Sequence, residues 1–190
     1  MSKNTFRTVA LMVLVTSIGR HAIAQQVTQK VKPGKGLYEI VYSEKSNAVY
    51  VASIGTRGQE GAGKVYALDP VTLAVKDSID VSAAPAFGLG LNEKTQTLYT
   101  SNTRSNSVHA IDLKSGKVVA TITHGKDKSH TREIVVDEKN NRVYVSDVGG
   151  GIWVIDGKTN TFSHLIEDAG LSVTGLALNS RKAILYAIDI

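Results

Sequence analysis

The residue types best suited to chemistry gather in a few loops of this chain. Arg57, Arg104, Lys126, Lys128, His130 and Arg132, with His124 nearby, would concentrate positive charge. Such a group attracts phosphate or carboxylate ligands, so these six are the candidate ligand- or polyanion-binding residues. A single-stranded nucleic acid would need aromatic platforms as well. Aromatic residues are few in these loops, Phe87 being the nearest, and the seven Tyr fall mostly inside apolar runs. That argues against a strong nucleic-acid site in this stretch of chain.

Other constellations are weaker. The run 58-GQEGAGK-64 approaches a phosphate-binding loop, but Val65 stands where that loop needs Ser or Thr, and a strand pattern follows instead of a helix. His124, Asp127 and His130 match no established metal-ligand spacing and lack a fourth ligand. There is neither a Gly-x-Ser-x-Gly elbow nor a His-Glu-x-x-His pair. Quinone-cofactor chemistry on a repetitive all-β frame would call for recurrent Trp, and the chain has one, Trp153. No catalytic residue, metal or cofactor is assigned, and the expectation is a protein that is not an enzyme.

The elements that must position these loops repeat. The segments 40-IVYSEKSNAVYVAS-53, 89-LGLNEKTQTLYTSN-102, 134-IVVDEKNNRVYVSD-147 and 176-LALNSRKAILYAID-189 share one plan: an apolar run, a polar turn and a second apolar run around a Tyr. Tyr50, Tyr99, Tyr144 and Tyr186 lie 49, 45 and 42 residues apart. Between them sit 64-KVYALDPVTLAVKDSI-79, 107-SVHAIDLKSGKVVATI-122 and 151-GIWVIDGKTNTFSHLI-166. In each, Asp69, Asp112 or Asp156 precedes a turn whose backbone its carboxylate can cap. A unit is therefore four short strands, and a strand-filled period in the forties predicts an all-β propeller of four-stranded antiparallel blades. We place blades at about 36–80, 86–123 and 131–167, with a half blade at 174–190. The 27-VTQKVKPG-34 segment resembles the outer strand and exit of a blade and is expected to be a closing strand.

Residues that recur in every blade are read as structural, the Asp and Tyr columns among them. His109 aligns with Tyr66 and Trp153 and is expected to fill the same slot between blades, while His164 is expected on a solvated outer strand. The hairpin dipeptides Glu44-Lys45, Glu93-Lys94 and Glu138-Lys139 carry paired charges and leave the end opposite the cationic face near neutral.

Residues 1–24 have the pattern of an export signal: Lys3 and Arg7, an apolar run from Thr8 to Ile18, and Ala22-Ile23-Ala24 as a small-x-small cleavage site. The domain proper would be 25–190, working in a periplasm or outside the cell with no span left after processing. Net charge then falls from 22 − 17 = +5 to 19 − 17 = +2, because Lys3, Arg7 and Arg20 leave with the signal. There is no Cys, which excludes disulfides and thiolate metal sites.

The runs 34-GKGLYEIVYS-43, 64-KVYALDPVTLAV-75, 96-QTLYTSN-102, 131-TREIVVDEKNNRVYVS-146 and 173-VTGLALNS-180 resemble the YncE-like family of periplasmic propellers, within the wider class built from YVTN repeats. The resemblance implies a seven-bladed ring, of which this chain would match the N-terminal half as a truncated product. It also implies a non-enzymatic binding or scaffolding role, with single-stranded DNA as a partner in one branch. Open blade edges further predict self-association.

Overall fold

The structure, a computed structural model, describes residues 26–56, 58–59, 61–125 and 129–190. The candidates Arg57, Lys126 and Lys128, together with Asp127 and the 1–24 segment, lie outside the described residues. No helix among the described residues is long and apolar enough to cross a membrane.

Four antiparallel sheets follow one another along the chain. The first holds β1 (Leu37–Ser43), β2 (Ala48–Ser53), β3 (Lys64–Leu68) and β4 (Val75–Asp80). The second holds β5 (Gly88–Asn92), β6 (Thr97–Asn102), β7 (Ser107–Asp112) and β8 (Lys117–Ile122). The third holds β9 (Thr131–Asp137), β10 (Arg142–Asp147), β11 (Ile152–Asp156) and β12 (Thr161–Ile166), and the fourth holds β13 (Val173–Asn179) and β14 (Ile184–Asp189). In each sheet neighbouring strands are consecutive in sequence, the up-and-down pairing of a propeller blade. The fold class is the one the repeat predicts: three four-stranded blades and a two-stranded one.

Local chemistry explains the turns. Asn47, Gln96, Asn141 and Ala183 sit at one place in the hairpin after each first strand and take φ between 44° and 55°. Asn tolerates this left-handed conformation better than most residues. After each third strand the Asp column caps the next turn. Asp69 accepts the N–H groups of Val71 (3.0 Å) and Thr72 (2.8 Å), Asp112 those of Lys114 and Ser115, and Asp156 that of Lys158. These bonds, led by Thr72 at Asp69 and by the Ser115 hydroxyl at Asp112, hold both carboxyls below the usual carboxylate range. The column is turn chemistry.

The core lies between blades. Val65, Ile79 and Ala86 pack with Leu89, Leu98 and Ile111 between blades 1 and 2. Tyr99, Val108 and Ala110 pack with Ile134, Val143 and Trp153 between blades 2 and 3. Alternate side chains of a blade 2 strand thus reach opposite neighbours, and both faces of that sheet are covered, which explains runs more continuously apolar than a half-solvated strand would show. His109, on β7 beside Ile111, is buried as expected, and burial lowers its pKa. His164 is exposed on β12.

Hydrogen bonds tie each blade to the next. At the hairpin end the N–H of Glu44 donates to Glu93 Oε1 and that of Glu93 to Glu138 Oε1, both at 2.6 Å. Lys45 Nζ reaches the carbonyl of Lys94 and Lys94 Nζ that of Glu138. The Glu-Lys dipeptides, near neutral in sum, thus take part in the ties between blades. The Glu93 and Glu138 carboxylates receive the preceding blade's backbone, because a buried or crowded N–H needs an acceptor more than an exposed Lys needs a counter-ion. At the other end Ser101 Oγ accepts the N–H of Gly88 (2.8 Å) and donates to the carbonyl of Arg132, and Ser146 Oγ does the same between Glu133 and Thr174. Gly88 must be glycine here: a Cβ would collide with the Arg132 carbonyl and the Ser101 hydroxyl.

The 27–34 segment is not a strand in this structure. A strand needs a ladder, and none of the described sheets pairs with it. Its end nevertheless behaves as a blade exit, since Gly34 lies against the Tyr66 ring, much as His124 of the β8–β9 connection lies against Trp153 at the equivalent place.

The Ser101 tie leads to a prediction. Ser101→Ala removes one hydroxyl and strands both the Gly88 N–H and the Arg132 carbonyl in a buried interface. Urea unfolding should show a loss of about 1–3 kcal/mol, and a loss below about 0.5 kcal/mol would show that the tie adds little.

Candidate binding site at the channel mouth

First strands stand side by side, β5 against β1 and β9, and β9 against β13. At their leading ends two repeat positions converge. One carries Tyr38, Phe87, Arg132 and Thr174; the next carries Glu39, Gly88, Glu133 and Gly175. A cavity of about 160 Å³ is lined by all of these except Gly175. This is the mouth of the channel, and it is built where the repeat does not repeat.

Glutamate and glycine alternate around the wall. Gly88, between the two carboxylates, has no side chain to separate them. The Glu39 carboxyl is pushed up to about 7, first by burial and then by the charge of Glu133. Burial also raises Glu133. Above them the Tyr38 and Phe87 rings meet edge to face with centroids 4.6 Å apart. Arg104 lies over the Phe87 ring, its guanidinium 5.6 Å from the centroid, in cation–π range.

Of the cationic candidates, Arg132 lines this cavity, and Arg104 reaches its edge through Phe87. Arg104 also borders a second, wider cavity of about 620 Å³ with Gly58, Gln59, Gly61, Ser82, Ala83 and Pro85. His130 lines neither. Its side chain is exposed, and its N–H donates to Asp147 Oδ1 at 2.6 Å. The described mouth is thus not of one sign. Glu39, Glu133 and Tyr38 escaped a reading focused on basic loops because they lie on strands. Aligning the two residues that precede each apolar run would have exposed them.

Among the described residues no three His, Cys, Asp or Glu side chains gather to hold a metal ion. His124 faces Ser129 and Asp147, a trio that resembles a catalytic relay in composition only. Ser129 Oγ bonds His124 Nε2, and Asp147 Oδ2 lies 3.6 Å from that same nitrogen. A relay needs the acid on the opposite ring nitrogen. Asp147 also accepts from Trp153 Nε1 (2.8 Å) and the Gly149 N–H (2.7 Å), and the His124 ring is packed on Trp153. The cluster braces the connection between blades 2 and 3.

Proteins named "uncharacterized protein YncE" from Escherichia coli O157:H7 and Escherichia coli strain K12 are 38% and 37% identical to the chain, over 93% and 94% of its length. The protein of that name from Salmonella typhi is 39% identical over 82% of the chain. By sequence, this chain is YncE-like. It spans about half the length of these curated relatives: 52%, 52% and 46%. No protein-family model matches it. Among solved structures, Kuenenia stuttgartiensis hydrazine synthase superposes with a TM-score of 0.70 at 18% identity, over 86% of this chain and 45% of its own. The WD40 repeats of RRP9 superpose with a TM-score of 0.63 at 9% identity, over 82% and 51%. At such identities the likeness concerns the propeller fold alone.

Glu39 sets a pH dependence. Its carboxyl titrates higher in the fold, about 7, than the usual 4.5, so its contribution to stability is complete below about pH 4.5 and lost as pH rises through about 7. Glu39→Gln should match the parent near pH 4 and exceed it near pH 8, by about 1 kcal/mol after discounting for solvent screening. Thermal melts at the two pH values check this, and an equal difference at both would refute it.

Proposed function

We propose that this chain is an exported, non-catalytic propeller module that binds a small ligand bearing an ammonium group at the channel mouth. The observation that carries the reading is the Glu39–Glu133 pair facing one cavity beneath the Tyr38–Phe87 edge. Burial raises the proton affinity of both carboxylates, and the Glu133 charge raises that of Glu39 further; a cation placed between them relieves this, and aromatic faces add attraction for the same charge. Arg132 at the rim offers a place for an anionic end, so an amino acid or similar zwitterion suits the wall. The volume, about 160 Å³, is below the usual span of about 300–1,000 Å³ for drug-sized ligands, and favours a headgroup over a large molecule.

A non-catalytic role is supported by the His124 geometry, which puts serine and acid on one nitrogen. Export is supported by the sequence pattern of residues 1–24. Polyanion binding is less favoured, because the carboxylates beside Arg132 would repel phosphate.

The test is calorimetric titration near pH 8 with small primary and quaternary amines, amino acids and matching dicarboxylates. Amines should bind, and the double variant Glu39→Gln, Glu133→Gln should weaken them by about tenfold or more. Arg132→Gln should weaken only ligands that also carry an anion. Preferential binding of the dicarboxylates would reject the proposal.

A further inference from the structure

Arg104 stands between two cavities. Its guanidinium covers the Phe87 ring, which lines the smaller cavity with Glu39 and Glu133. The same residue lines the wider one, of about 620 Å³. Chain geometry puts the two side by side. Pro85 borders the wider cavity and Phe87 the smaller, and two residues of extended chain span at most about 7 Å. Both lie at the same end of the blades, since Gly88 pairs with Ser101 just before the β6–β7 turn that carries Arg104.

The two walls differ in charge. None of the described residues lining the wider cavity is acidic: Gln59, Ser82, Ala83, Pro85 and Arg104 are set beside glycines. Asp80, just before this wall, accepts the Ser82 N–H at 2.9 Å. A Cβ on Gly58 or Gly61 would meet nothing within 4 Å, so the loop side of this cavity is open. Its walls come from blade 1, blade 2 and the connection between them. The smaller cavity thus offers two carboxylates and the wider one a guanidinium.

We infer that the ligand is two-headed, with an ammonium group between Glu39 and Glu133 and a carboxylate several bonds away that reaches Arg104 in the wider cavity. This rests on the amine site proposed above and names the class of molecule it takes. Together the cavities fall within the usual span of about 300–1,000 Å³ for a small-molecule site, which the smaller one alone does not reach. A guanidinium presents paired donors that match a carboxylate, and one of its faces stays on Phe87. A singly charged carboxylate suits the place better than a phosphate, because Glu39 and Glu133 share the Phe87 wall. Arg132, in the smaller cavity, serves a carboxylate close to the ammonium. Chain length therefore decides which arginine is used.

Calorimetric titration near pH 8 tests this with matched pairs: 3-aminopropanoate against propylamine, 6-aminohexanoate against hexylamine, and 8-aminooctanoate against octylamine. Within each pair the ratio of dissociation constants isolates the carboxylate, and any change in the ammonium cavity cancels. In the parent the two longer amino acids should bind about fivefold more tightly than their amines, the worth of a well-placed exposed ion pair. Arg104→Gln should bring that ratio to near unity, and Arg132→Gln should do so for the 3-aminopropanoate pair instead. Alkylamines that bind with no gain from a distant carboxylate overturn this inference and leave the amine site standing. A long-chain gain that is lost in Arg132→Gln but kept in Arg104→Gln overturns it as well. If no amine binds, the amine site and the inference fall together.

Discussion

The structure depends on covering both faces of each sheet. A blade on its own has two apolar faces and nothing to put against them. Setting blades side by side covers the facing sheets and makes those interfaces the core of the described residues. The largest sealed side chains, Trp153, Tyr99, Leu98 and Ile111, all lie in those interfaces. Once the blades are stacked, their first strands must converge, and the convergence makes a channel whose wall takes one narrow strip from each unit. The ligand site proposed here is a by-product of that geometry. It sits where the strips meet and costs the fold little, because first-strand ends are the places least committed to packing.

Much of the fold was legible because its period is written several times. Tyr50, Tyr99 and Tyr144 mark the second strand in each full blade, and the Asp column marks the turn after the third. Repetition also protected the reading from false sites, since Asp69, Asp112 and Asp156 look catalytic only when each is viewed alone. The 58–64 loop was rightly set aside as a phosphate cradle, because β3 follows it and not a helix.

The candidate site was less legible. Side-chain charge could be read, but its direction could not. Glu44 and Lys45 are neighbours in sequence and opposite in sign, yet in the fold it is the Glu44 backbone N–H and the Lys45 side chain that reach forward to blade 2. Glu39 and Glu133 are nearly a hundred positions apart and become neighbours only because Gly88 leaves the strip between them bare. Arg104 and Arg132 come together through Phe87, a residue recognised in sequence only as a solitary aromatic. In each case the deciding factor is which strand face a residue occupies after the blades have been set at their mutual angle.

The recurring ties at the hairpin end have an evolutionary consequence. The junctions between blades 1 and 2 and between blades 2 and 3 ask the same of both partners at this end, so a unit can be copied, inserted or lost without rewriting its neighbours there. Lineages built from such units can change blade number by unequal recombination, and each new wheel inherits a wall of different circumference, with a different set of strips facing its centre. Ser180-Arg181, where the other units have Glu-Lys, shows how far a single unit can drift while keeping the hairpin.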